Sequence, residues 1–127
     1  MSTARHQPAA DPAERGRVLT KAVRAAAAAL GLTQRDLAQV LGASEASVSR
    51  FSRSRDIPYP SKEAELGALL VRLYRSLDTL VGGDPAKAQA WFNAENLHLR
   101  ARPAERVRSV EGLVDVVRYL DAMRGTL

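Results

Sequence analysis

Apolar and polar positions alternate at helical spacing along nearly the whole chain. Val18, Ala22, Ala25, Ala26 and Ala29 recur at three- and four-residue steps and predict a first helix ending near Leu30. Asp11, Pro12 and Glu14 give it a start: a cap, a proline at the first helical position, and an acid three residues after the cap. Thr33 and Asp36 repeat the capping signal for a second helix through Leu41, with Leu37, Ala38 and Leu41 inward. Gly42 allows a tight turn, and Ser44 caps a third helix to about Arg53 that buries Val48 and Phe51. The prolines of "RDIPYP" break the period and predict an extended connector.

Ser61 opens a long helix whose stripe is Leu66, Leu69, Leu70, Leu73, Tyr74, Leu77 and Leu80, closed by Gly82-Gly83. Asp84-Pro85 starts a shorter helix ending near Trp91. "NAENLHLRAR" lacks a period and reads as a turn with one or two anchoring leucines. Pro103 begins a helical turn, and Ser109 caps a last helix with Val110, Leu113, Val114, Val117, Leu120 and Met123 as its stripe. No strand-like alternation and no internal repeat occurs, so an all-α fold is expected. The N-terminal part is a helix-turn-helix bundle and the C-terminal part a second small helical domain. The expected boundaries are a flexible tail at 1–12, a first domain at 13–60, a long linking helix at 61–83 and a second domain at 84–127.

Composition narrows the function classes. A chain of 127 residues has room for one domain, or two small lobes sharing a core. There are no cysteines, and His6 and His98 are its imidazoles, so neither a disulfide nor a metal site is expected. No apolar run is long enough for a bilayer and no cleavable signal precedes the folded part, so a soluble cytoplasmic protein is expected. No Ser-His-Asp arrangement, glycine-rich phosphate loop or convincing carboxylate pair appears, so neither an enzyme nor a bound cofactor is expected. Charge is uneven: Lys plus Arg minus Asp plus Glu is 9 − 5 = +4 for residues 1–60 and 10 − 9 = +1 for residues 61–127. A basic front half points to a polyanion partner.

The second and third helices, "TQRDLAQVLGASEASVSRFSR", supply the chemistry. Two short helices meet at a glycine turn, and the second presents small polar and basic residues, as a helix-turn-helix does. Glu45, Ala46, Ser49, Arg50 and Arg53 are left facing outward and, with the cap Ser44, are the expected DNA contacts. Small residues let a helix sink into the major groove, and Arg50 and Arg53 can reach guanine edges or phosphates. Gln34 stands at the start of the second helix, where backbone N–H groups can hold a phosphate. Glu45 fits either its own helix dipole or a cytosine amino group. The stretch resembles the Cro and Xre type of DNA-binding family, whose pattern "LTQxxLAxxLGxSxxxVSR" is followed at Leu32, Thr33, Gln34, Leu37, Ala38, Leu41, Gly42, Ser44, Val48, Ser49 and Arg50. Such modules bind palindromes as two-fold dimers, so a homodimer is expected. Its interface is expected on the helix at 62–81, whose apolar face exceeds what three small helices can cover.

Downstream, Trp91, Phe92, Asn96, Leu97, Pro103, Ser109, Gly112, Leu120 and Gly125 resemble the toxin-binding domain of the Xre/MbcA/ParS antitoxins. Where that family often carries Gly-Gly before the proline, "HLRAR" stands here. The resemblance implies a partner toxin of the RES class, an enzyme that consumes NAD or transfers ADP-ribose. NAD would then be bound by the toxin and not by this chain. It implies that the C-terminal region blocks the toxin's cleft, with contacts expected at Trp91, Asn96, Arg118, Asp121, Arg124, Gly125 and Leu127. A stand-alone repressor without a toxin, and an interaction module whose helix-turn-helix no longer binds DNA, remain the rival readings.

Overall fold

A computed structural model describes residues 11–126; the expected tail at 1–12 falls almost wholly outside them, as does Leu127. The helices run α1 Pro12–Leu30, α2 Gln34–Leu41, α3 Glu45–Arg53, α4 Lys62–Leu80, α5 Pro85–Asn93, α6 Pro103–Arg106 and α7 Val110–Arg124. No strand occurs among the described residues beyond one isolated bridge between Asn96 and Ala101. The fold is all-α, a helix-turn-helix bundle followed by a smaller helical unit.

Capping explains the helix starts. The carboxylate of Asp11 accepts from Glu14 N, Thr33 and Asp36 close a reciprocal capping box, and Ser44, Ser61, Asp84 and Ser109 accept from first-turn amides. Each such cap contributes on the order of 1 kcal/mol. Gly42 ends α2 at φ 65°, where a side chain would be strained.

The long helix α4 is the spine. It packs against α1, α2 and α7. Leu70, Leu73 and Leu77 of α4 and Leu113, Val116 and Leu120 of α7 are essentially inaccessible. Burying each such side chain contributes roughly 1.5–3 kcal/mol. The exposed pair Lys62–Glu65 at 3.3 Å contributes under about 1 kcal/mol, so burial holds the spine in place. One continuous core runs from Val23 to Leu120 through both halves. Leu70, Leu73 and Leu77 of α4, counted in the face expected to meet a second chain, are therefore buried within this chain, while Leu66, Leu69, Tyr74 and Leu80 stay partly exposed.

Two expected stripes lie in a different register. On α1, Val18 is 61% exposed and Ala25 is exposed, while Gly16, Thr20, Val23, Ala26, Ala27 and Leu30 face inward. On α7, Val110 and Met123 are exposed and Val116 replaces Val114 in the core. Where alanine or valine occupies several faces of a helix, hydropathy contrast cannot select one, and the neighbouring elements do.

The connector is pinned to α1 by a buried hydrogen-bond relay. Ile57 N donates to Thr20 Oγ1 at 2.8 Å, and that hydroxyl donates to Gly16 O at 2.6 Å. Ile57 itself is 2% exposed. Thr20→Val keeps the shape and strands the Ile57 amide, and is expected to cost about 1–3 kcal/mol in urea unfolding. Thr20→Ser should restore most of it. A Thr20→Val midpoint equal to wild type would show that the relay contributes nothing.

Candidate functional site

The first surface is built on α3. Val48 and Phe51 anchor it in the core, so the opposite face looks outward by helical geometry. Glu45, Ala46, Arg50 and Arg53 are exposed on that face, with Ser49 half-buried among them. Ser44 caps the helix, its Oγ accepting from Ser47 N at 3.1 Å. Arg53 Nη2 donates to Ser49 Oγ at 2.9 Å, tying the longer side chain back along the helix. Glu45 sits in the first turn, where its charge complements the helix dipole. Gln34 is exposed at the first position of α2. The seven residues singled out for this surface are thus presented by α2, α3 and the cap between them, and Ala38 of α2 is buried at 5% exposed.

The structure adds a basic stripe that motif reading missed. Arg17, Lys21 and Arg24 recur at four- and three-residue steps on the exposed side of α1. With Arg53 and Arg55 they line a cleft of about 400 Å³ beside the end of α3. Lys21 and Arg24 also border a cleft of about 560 Å³ that reaches Thr33, Gln34 and Ser52. The stripe therefore lies alongside both hairpin helices. Its spacing was visible in the sequence, but only the clefts that α1 shares with α2 and α3 show which surface it joins.

The second surface gathers around the α5–α6 loop. The Trp91 and Tyr119 rings lie 6.2 Å apart and 13° from parallel, and His98 stacks on Tyr119 at 4.8 Å. Asn96 shapes the loop: its Oδ1 accepts from Leu99 N at 3.0 Å, and its N donates to Ala101 O at 3.1 Å. Leu99 is half-buried against the core, whereas Leu97 is 96% exposed, so one of the two leucines anchors the loop and the other does not. Arg100 adopts φ 59°, a left-handed conformation that costs a residue with a side chain roughly 1–2 kcal/mol. Arg118 stands with Arg100, Arg106 and His98 around a cleft of about 450 Å³. Its carboxylate, Asp115, is paired to Arg106.

The C-terminal residues singled out from the sequence do not converge on this cleft. Asp121 pairs with Arg72 of α4 at 2.5 Å and accepts from Ser76 Oγ at 3.1 Å. Arg124 donates to the same hydroxyl at 3.2 Å, and Ser76 is fully buried. Asp121 and Arg124 thus fasten α7 to α4, whereas Arg118 lines the cleft beside the α5–α6 loop. Gly125 continues the helical conformation at φ −67°, so it makes no sharp turn.

Two regions of the chain match known families in the order of these two surfaces. Residues 9–72 match the antitoxin Xre-like helix-turn-helix domain, and residues 76–125 match the antitoxin Xre/MbcA/ParS C-terminal toxin-binding domain. The chain belongs to the Xre-type antitoxin family. A search of curated proteins finds no match. In this antitoxin the α3 surface lies in the DNA-binding domain, and the aromatic and arginine-lined surface lies in the toxin-binding domain. The left-handed Arg100 falls in "HLRAR", the stretch where a small pair would accept that conformation without strain. Among the described residues no helix is long and apolar enough to cross a membrane.

Proposed function

We propose that this chain neutralises a RES-type toxin, an NAD-consuming or ADP-ribosylating enzyme, by occluding its active site, and represses its own operon as a DNA-binding homodimer in the cytoplasm. What carries this reading is the pairing of two separate cationic surfaces on one shared core. The front surface, with Gln34, Arg50 and Arg53, suits a duplex; the rear surface, on the toxin-binding domain, suits a protein. Because one core spans both halves, both surfaces can be occupied at once.

On DNA, α3 enters the major groove. Ala46 and Ser49 keep the approach close, and Arg50 reads a base edge while Arg53 and Gln34 fix the register on phosphates. Two copies are needed to read both halves of a palindrome. The second copy would meet α4 along exposed Ala68 and Arg75, beside exposed Val18 of α1.

Two measurements test the reading. The wild-type chain should retard its upstream DNA at low salt as a complex containing two copies. Arg50→Ala should weaken that complex by about 1–3 kcal/mol and relax the preference at one base position. No shift at low salt would sink autorepression. Co-expression with the neighbouring reading frame should yield a co-purifying toxin whose NAD-dependent activity is suppressed. If the chain shifts DNA but recruits no toxin, it acts as a stand-alone repressor.

A further inference from the structure

Leu97 is 96% exposed although it sits in a well-shaped loop. The Asn96 side chain, the Asn96–Ala101 bridge and half-buried Leu99 hold the loop in place, so Leu97 is presented on a fixed platform. The platform is also strained, because Arg100 sits at φ 59° without being glycine. Strain of this kind persists where surrounding contacts over-determine the backbone, and it gathers at functional sites. The arginine at this position projects a cation beside the cleft shared with Arg118. The carboxylate lining that cleft, Asp115, is already paired to Arg106, so Arg100 and Arg118 leave the rim net positive.

We propose that the loop at 96–101 is the partner-selecting contact of the toxin-binding domain. Leu97 enters an apolar socket on the toxin, and Arg100 and Arg118 meet carboxylates on the rim of that socket. The proposal rests on the antitoxin reading above and names the chemistry of the partner's surface. An apolar anchor with a charged rim is the arrangement in which one residue carries most of the binding energy while the rim sets encounter rate and selectivity. Charge complementarity identifies the socket's rim as acidic, and the small area of the loop assigns it a specificity role within a larger contact. Asp121 and Arg124 are occupied in joining α7 to α4 and take no part in it.

The test uses full-length chain and the toxin that co-purifies with it, with affinity measured by titration calorimetry. Leu97→Asp is expected to weaken binding by at least 100-fold, and Leu97→Ala by about 30-fold. Arg100→Glu with Arg118→Glu should slow association, and the salt dependence of the rate should flatten or reverse. Thermal midpoints of the Leu97 variants should match wild type, since the side chain contacts nothing that holds the fold. Leu97→Asp binding within threefold of wild type overturns the proposal while leaving the antitoxin reading intact. A charge-reversed pair with unchanged association and salt dependence overturns the acidic rim. If the wild-type chain binds no toxin, the antitoxin reading fails and this contact fails with it.

Discussion

Gly112→Ala is expected to destabilise the folded chain by at least about 3 kcal/mol, and to be seen as a large fall in the urea midpoint. Gly112 is buried in the first turn of α7, where α6 turns into it. A methyl group there would overlap the Arg106 carbonyl oxygen and lie 2.7 Å from its carbon. These are backbone atoms, so no side chain can swing aside. The Arg106 carbonyl also accepts from Ser109 N, so moving it away disturbs the turn that caps α7. Relief requires α6 and α7 to part, and α7 is the helix that covers the leucines of α4. The same change at Gly82 serves as a control, because nothing lies within 4 Å of its added carbon. Its cost should be that of a side chain at φ 64°, about 1–2 kcal/mol. A Gly112→Ala chain as stable as wild type would show that the α6–α7 corner is loose.

The largest expected effect on DNA binding comes from a helix outside the recognition hairpin. Replacing Arg17, Lys21 and Arg24 together by alanine should weaken operator binding roughly 100-fold near 0.1 M salt. The slope of log affinity against log salt should become shallower by about 2–3, since each phosphate contact contributes about 0.9. Sequence preference should hardly change, because phosphate contacts position a protein without reading bases. That separates the stripe from Arg50, whose loss should alter preference at one base and the slope by about one at most. All three side chains are exposed, so folding is not expected to suffer. Unchanged salt slopes in filter binding or fluorescence anisotropy would remove α1 from the interface.

Much of the local architecture was legible beforehand for identifiable reasons. Asp11, Thr33, Ser44, Ser61, Asp84 and Ser109 act as caps through contacts two or three residues away, and so can be read from the sequence directly. The hairpin was legible because its outward and inward positions differ sharply in chemistry. Val48 and Phe51 are unmistakably apolar among serines and arginines. The α1 register was not legible, since alanines at 25–29 offer no contrast between faces. Which leucine of the turn anchors it was not legible either. One or two leucines were expected to anchor it; Leu99 takes that place and Leu97 is left in solvent.

The C-terminal helix shows where local reading ends. Arg118, Asp121 and Arg124 look equivalent as charged residues near the end of an amphipathic helix. Asp121 and Arg124 meet Ser76, 45 and 48 residues earlier in the chain, and are drawn into the α4 seam. Arg118 meets no such partner and stands at the cleft beside the α5–α6 loop. The sequence by itself determined the helices, their caps, the glycine turn and the antitoxin family, because those depend on neighbours within a few residues or on contiguous motifs. Only the tertiary structure decided which face each helix buries, that α7 packs on the leucines of α4, and which charged residues are drawn into contacts among the described residues. Those outcomes depend on groups brought together from dozens of residues apart, where burial and hydrogen bonding select among faces that the local pattern leaves equivalent.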